Sequence, residues 1–439
     1  MQIPKEIQTI LDTIESHGFQ AYLVGGCVRD FLLGQTPSDY DVATDAHPQQ
    51  IMECFDRCIP TGLPHGTVTV LAGQPVEVTT FRQETEYADH RHPNAVHFVS
   101  RIQDDLARRD FTINAMAYHP KQGLVDPFGG KEDLETGIIR CVGEARQRFE
   151  EDALRLLRAH RFAARFHFQI EEQTAQAMQA CQDLIRYVSV ERIRQEVMLT
   201  LQADPYQLEQ MTGLLKPWIP ELEACLHCEQ NTKYHDTNVL HHTCRALKLL
   251  EPYEETLAYV LLIHDLAKPA CKTHTDGQDH FKGHPKAGME IAQRLCREWK
   301  LTRQQQKWIP LLVRYHDSRI REKDKFIKDF CIKYHWPDQQ IRNLFKVKHC
   351  DILAHSPLGQ KSIEDLKELE QAYEQAKQTR PLSFGDLAIN GQDVVQEGLQ
   401  GAEVQLALQD CLEYMFDHPE QNTKEGCLAR IRQKKGGKR

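Results

Sequence analysis

A chain of 439 residues with 41% hydrophobic and 27% charged side chains has the composition of a folded globular protein with room for two to four packed domains, which excludes disorder as the default. Its 54 Lys+Arg against 63 Asp+Glu give a formal charge of −9, so overall charge does not attract a polyanion and any nucleic-acid contact must come from a local basic surface. There is no N-terminal leader pattern and no apolar run of bilayer length, and the fourteen cysteines lack regular spacing, so reduced thiols, a cytoplasmic address and no membrane partner are expected. Cys225 and Cys228 form a CxxC, but no second one completes a zinc site.

In chain order, residues 4–18 predict a helix with Ile7, Ile10, Leu11 and Ile14 on one face, followed by a strand over Ala21–Val24. That strand runs into Gly25-Gly26 and a short helix ending before Gly34. Further strands are predicted at Thr67–Leu71 and Val76–Phe81, between Gly66, Gly73 and Pro75. The first 140 residues therefore read as a mixed α/β unit. From residue 144 to about 375 the pattern is almost entirely helical, with breaks near Lys216-Pro217, Pro269 and Pro357. The segment from Pro381 reads as short glycine-punctuated helices that end in a solvated basic tail, RQKKGGKR.

Three features carry chemistry. The first is the strand, glycine turn and helix start at Leu23–Asp30, where Gly25 and Gly26 let backbone approach a phosphate and Arg29 adds positive potential. The second is Asp39-Tyr40-Asp41: on a strand, residues two apart share a face, so both carboxylates can hold divalent ions. The third is Glu77, an acid inside an apolar strand and expected to be buried, which would need an ion or an arginine beside it. Metal-assisted phosphoryl transfer uses all three acids. Downstream, Glu151-Asp152-Ala153-Leu154-Arg155 is expected to open a helix, with Arg155, Arg158, Arg161 and Arg165 forming one basic stripe. A salt-bridged helix face, with Glu151 paired to Arg155, is the competing reading.

Gly25-Gly26-x-Val28-Arg29-Asp30, Asp39-x-Asp41, the run Asp105 to Ala117, and Glu151-Asp152-x-x-Arg155-x-x-Arg158 together resemble the class II tRNA nucleotidyltransferase and bacterial poly(A) polymerase family. The resemblance implies an α/β polymerase-β-like nucleotidyltransferase head, followed by mostly α-helical neck, HD and C-terminal domains. It implies catalytic Asp39, Asp41 and Glu77, with Mg²⁺ on Asp39 and Asp41. Gly25, Gly26 and Arg29 would bind the triphosphate, and Arg109, Asp110 and Asn114 the ribose. Asp152 and Arg155 would read the edges of CTP and ATP, assisted by Arg158 and Arg161. Ser189, Glu191, Arg192 and Glu196 match a later structural motif. The charged segment Arg82 to Arg91 has the length seen in members that switch from CTP to ATP, and His65-Gly66-Thr67-Val68 resembles the CCA-adding version. The activity implied is addition of CMP, CMP and AMP to the tRNA 3′ acceptor end. A-only addition and polyadenylation remain as alternatives.

A separate cluster comprises His242, His264-Asp265, His284, His316 and Asp351. Imidazoles with carboxylates suit Mn, Ni, Co, Fe or Mg²⁺. His242, His264, Asp265 and Asp351 resemble the HD phosphohydrolase pattern, which makes His284 and His316 candidate ligands of a second ion. The domains expected are a head over 1–140, a neck over 141–215, an HD domain over 225–360 and a C-terminal tRNA-binding segment over 361–439. An HD phosphohydrolase with a merely RNA- or nucleotide-binding head is the alternative of another class.

Overall fold

The structure, a computed structural model, describes residues 3–87 and 93–436. The chain divides into two compact units, Met1–Pro217 and Trp218–Arg439, and the division falls at the predicted break at Lys216-Pro217.

The N-terminal unit opens with α1 (Lys5–Ser16), which buries the predicted face of Ile7, Ile10, Leu11 and Ile14. Next come β1 (Ala21–Val24), α2 (Gly26–Leu32), β2 (Asp41–Thr44), α3 (Pro48–Cys54), β3 (Cys58–Gly62), β4 (Thr67–Ala72) and β5 (Gln74–Thr80). A hairpin of β6 (Arg82–Tyr87) and β7 (Pro93–Phe98), helix α4 (Ile102–Ala107), and strands β8 (Ala117–His119) and β9 (Gly123–Val125) complete the head. Seven strands form one sheet in the order β3-β4-β5-β2-β1-β8-β9. Within it β2 and β5 run parallel, and the other neighbouring pairs are antiparallel. Tyr22, Val24, Ala43, Phe81, Leu106 and Ala117 pack together in its core. The segment expected to mark the switch from CTP to ATP falls on the β6–β7 hairpin, and its residues Ala88 to Arg91 lie outside the described residues.

Helix α5 (Gly130–Thr136) and β10 (Ile138–Ile139) close the head's stretch of chain, and the neck follows as α6 (Ala145–Glu151), α7 (Leu154–Phe166), β11 (Gln169–Ile170), α8 (Glu172–Cys181), α9 (Val190–Ala203) and α10 (Thr212–Leu215). Two local expectations are corrected here. Asp39 lies in the bend before β2 rather than on the strand. Glu151-Asp152-Ala153 closes α6 instead of opening a helix: Asp152 is extended, with φ −140°, and its carboxylate accepts from the Leu154 N–H ahead of α7.

In the C-terminal unit the elements are α11 (Glu221–Leu226), α12 (Val239–Lys248), α13 (Glu255–Ile263), α14 (Lys268–Cys271), a hairpin of β12 (Thr273–Thr275) and β13 (Gln278–His280), α15 (His284–Glu298), α16 (Arg303–Tyr315), α17 (Lys323–Ile327), α18 (Asp338–Ala354), α19 (Ser362–Thr379), α20 (Gly391–Gln396), α21 (Ala402–Asp417) and α22 (Lys424–Gly436). Among the described residues no helix is long and apolar enough to cross a membrane. The predicted solvated basic tail is exposed from Arg432 to Lys435. Its described portion belongs to α22, where Arg432 pairs with Glu397 and Lys434 with Asp410, each at 2.5 Å. Cys225 and Cys228 are buried free thiols.

Candidate active site

The head's acidic face is set by strand register. Asp41 pairs with Glu77 across the parallel β2–β5 ladder, so the two side chains stand on one face as neighbours. Along β5, Val76, Val78 and Thr80 turn into the core, and Glu77 turns outward. Glu77 is thus exposed rather than buried as expected, because the strand's alternation puts it on the open face. Asp39 reaches the same region from the preceding bend, close enough for its charge to act on Asp41. Asp41 keeps an open edge to solvent. Even so, the protein packed around its carboxyl and the like charges of Asp39 and Glu77 push it up to about 6, against the pull of Arg109. Three carboxylates gathered on one side of the sheet make a seat for cationic charge.

The glycine turn lies beside them, since Val24 is the register partner of Asp41 across β1 and β2. Gly25 holds φ +71°, and a Cβ there would lie 2.7 Å from Nη1 of Arg109. Only glycine accommodates both the backbone and that close guanidinium. Gly26 has no such demand: its Cβ would meet Arg29 Nη2 at 3.5 Å, an ordinary contact.

The predicted nucleotide contacts separate into open and engaged groups. Arg29 is 4% exposed. It donates to Asp30 at 2.8 Å and Asn114 Oδ1 at 2.5 Å, and it stacks over Phe162 and Phe166. Asn114 in turn donates to Asp110 at 3.0 Å, and Arg158 Nε donates to Asp110 at 2.7 Å. Burial opposes the charge on Asp110, yet Arg158 and Asn114 hold its carboxyl well below the usual carboxylate range. Arg109 lies 3.4 Å from Asp105 and bonds the Asn114 carbonyl at 3.5 Å.

The stripe on α7 exists, but it is neutralised. Arg155 meets Glu151 at 2.8 Å and the Arg108 carbonyl at 2.9 Å. Arg161 lies 2.8 Å from Glu196, as an ion pair without the angles of a hydrogen bond. Arg165 lies 3.4 Å from Asp30. The i,i+4 pairing of Glu151 with Arg155 is therefore the one observed. Asp152 is held by Arg192 at 2.9 Å. This makes Arg192 a residue of the predicted base-reading position that sequence reasoning treated as structural. Its distance in sequence from Asp152 left no local signal.

In the C-terminal unit the predicted histidines and aspartates converge. His242 lies on α12, His264 follows α13, His284 opens α15, His316 follows α16 and Asp351 lies on α18. Each imidazole Nδ1 faces a carbonyl, that of Ala354, Leu261, Phe281 or Val313, at 3.4, 2.6, 2.8 and 2.7 Å respectively. A carbonyl only accepts, so in His264, His284 and His316 the Nδ1 donates, and in all four rings the Nε2 faces inward. The Nε2 atoms of His264, His284 and His316 lie 3.2, 3.4 and 3.7 Å from Asp265, and that of His242 lies 2.9 Å from Asp351. Lys268 Nζ is 2.7 Å from Asp265 Oδ2, but among the described residues neither Asp265 oxygen has a hydrogen bond, nor does His264 Nε2. Despite burial, His264 and Lys268 hold the Asp265 carboxyl well below its usual range. The ligand atoms of His242, His264 and Asp265 lie within 4.8 Å of one another, and so do those of Asp265, His284 and His316. A third such group, His235, His242 and His355, was missed in sequence, although His355 follows Asp351 by one helical turn.

This head, with its paired acids beside a glycine turn, has a polymerase-β-like nucleotidyltransferase fold. Residues 21–140 match the family described as Poly A polymerase head domain, and residues 167–226 match the one described as Probable RNA and SrmB- binding site of polymerase A. The N-terminal half of the chain is thus similar to poly(A) polymerases and CCA-adding enzymes. A CCA-adding enzyme of Lactobacillus helveticus is 50% identical over 188 residues, covering 43% of this chain and 47% of the relative. That of Lactiplantibacillus plantarum is 46% identical over 218 residues, covering 49% and 53%. The matched stretch thus spans about half the length of these relatives. Over 99% of this chain and 100% of the other, the structure resembles the Bacillus stearothermophilus CCA-adding enzyme in complex with CTP, with a TM-score of 0.70 and 25% identity. The Thermotoga maritima CCA-adding enzyme complexed with tRNA shares the fold, with a TM-score of 0.59 and 19% identity.

Proposed function

We propose that the chain is a cytoplasmic CCA-adding tRNA nucleotidyltransferase that transfers CMP, CMP and AMP from CTP and ATP to the tRNA 3′ end without a nucleic-acid template. The observation that carries this is the register pairing of Asp41 with Glu77 beside Asp39 and the Gly25 turn. Mg²⁺ held by Asp39 and Asp41 would supply charge neutralisation at the transferring phosphoryl group. Glu77, on the same face, completes the acidic seat and can accept the proton of the attacking 3′-hydroxyl. The glycine turn admits the triphosphate, and Arg109 beside it offers cationic charge. Asp152 and its partner Arg192 would present a carboxylate and a guanidinium to a cytosine or adenine edge, which pairs with them as uracil and guanine do not. The test is a tRNA transcript lacking CCA, incubated with Mg²⁺ and each labelled nucleotide. The expected product carries C, C and A, and an Asp39→Asn/Asp41→Asn variant makes none. Incorporation of A alone, or of long A tails, would assign one of the two sister activities. No incorporation would leave a nucleotide-binding head.

A second reading applies to the C-terminal unit, favoured by the four inward Nε2 atoms around the orphaned oxygens of Asp265. We infer a divalent metal site on His242, His264, Asp265 and Asp351, with His284 and His316 as ligands of a second ion. Such an ion would supply Lewis-acid polarisation of a phosphoryl oxygen. A cavity of about 450 Å³ whose lining includes His235, Lys268, Lys282 and His355 admits a phosphate ester of an RNA end or nucleotide. The measurement is phosphate release with added Mn²⁺, Ni²⁺ or Co²⁺, compared with His264→Ala. Identical behaviour of the two proteins removes this reading.

A further inference from the structure

Helix α7 has two working faces. Arg158, Arg161 and Arg165 point to the acids of the head and α9, as described above. Leu156, His160 and Ala163 lie on the opposite side at helical spacing, where they floor a cavity of about 590 Å³. Its fourteen lining residues include no charged side chain: the rest are apolar residues, one glycine and five glutamines. The one titratable group, His160, is 7% exposed, and burial pushes it down to about 4. It is therefore neutral at working pH. Its Nδ1 meets Gln207 Oε1 at 3.4 Å, and among the described residues its Nε2 has no hydrogen-bond partner. The amides of Gln182 and Gln210 on the rim are likewise without a partner among the described residues.

A ligand for this cavity must be uncharged, since no cation or anion is present to meet a phosphate or an ammonium group. It must have apolar faces, to lie against Leu156 and Phe168, and an edge of alternating donors and acceptors to satisfy amides and one imidazole. A nucleobase meets all three requirements: glutamine reads base edges bidentately, and unpaired bases lie against aromatic rings.

We propose that the cavity behind α7 receives one unpaired nucleobase of the RNA substrate, which makes it a second recognition point on the side of α7 away from the acidic transfer site. The inference rests on the reading that RNA is the substrate. It adds that the neck grips the body of that RNA, apart from the end being extended. A base lodged here engages through neutral hydrogen bonds, so this part of binding is insensitive to salt, unlike phosphate contacts.

The test uses the full chain and a tRNA transcript lacking CCA. Ala175 lines the cavity and is exposed on α8, so Ala175→Trp closes the mouth without entering the packed core. Gln182→Leu removes a rim amide at similar volume. Both variants should raise the Kd for the transcript, Ala175→Trp by about tenfold, equivalent to about 1.4 kcal/mol, while the KM for CTP stays within about twofold. Probing with dimethyl sulfate for A and C and with a carbodiimide for U and G should find a base protected by the wild type and reactive with Ala175→Trp. If both variants melt as the wild type and bind with its Kd, the inference is overturned, and it is overturned too if the wild type protects no unpaired base. Extension of the transcript by the wild type is scored separately: normal extension with unchanged variant binding sinks this inference alone, whereas absent extension sinks the transferase reading.

Discussion

Replacing Gly25 and Gly26 one at a time separates conformational need from resemblance to a motif. Gly25 sits at φ +71°, ψ −128°, a region that only glycine occupies readily, so an alanine there costs on the order of 1–3 kcal/mol in backbone strain. The added Cβ would also lie 2.7 Å from Arg109 Nη1. The guanidinium must then leave its contacts with the Asn114 carbonyl and Asp105, at about 1 kcal/mol more. Gly25→Ala should therefore destabilise by about 3 kcal/mol and depress nucleotide incorporation, because Arg109 is the cation beside Asp41. Gly26 is the first residue of α2, and its Cβ would make only the 3.5 Å contact with Arg29. Gly26→Ala should match the wild type or gain up to about 1 kcal/mol from reduced unfolded-state freedom. Urea denaturation of the two variants, with incorporation measured in parallel, decides the matter. Equal damage from both, or a Gly25→Ala protein as stable as the wild type, would refute the reasoning.

Three further outcomes are expected. Arg158→Met removes the cation that holds the buried Asp110 carboxylate and should cost about 3 kcal/mol in urea denaturation, whereas a loss below about 1 kcal/mol would mean that Asn114 alone supports that charge. His160 has a folded value of about 4 against 6.5, so the unfolded chain takes its proton first as pH falls. Stability should decline between pH 6.5 and 4 by up to about 3 kcal/mol from this group, and denaturation of His160→Gln should lack that component; parallel pH profiles would count against it. Finally, His264→Ala should lose bound transition metal, measured by elemental analysis of protein dialysed after metal loading, and should keep the wild-type rate of nucleotide incorporation; retained metal would show that His264 is not a ligand.

Gly25 at its turn, the acid character of Asp41 and Glu77 on strands, and the six clustered imidazoles and carboxylates of the C-terminal unit were legible in the residue order, whereas the face that Asp41 and Glu77 share is made by the β2–β5 register. Each rests on a local rule: a turn that needs glycine, the two-residue alternation of a strand, or imidazoles and carboxylates set into apolar helices where charge needs a partner. Local rules also put Arg155, Arg158, Arg161 and Arg165 on one side of α7. Whether those guanidinium groups are free for a ligand was a different question, because Asp30, Asp110 and Glu196 arrive from distant parts of the chain and only tertiary packing brings them within reach. The same holds for Arg192 on Asp152, for Asp39 displaced from its strand into a bend, and for His355 beside His242. Spacing along the chain determines which side of an element a group occupies. The partner it meets there, and hence whether its charge is open or compensated, is decided only when the elements pack.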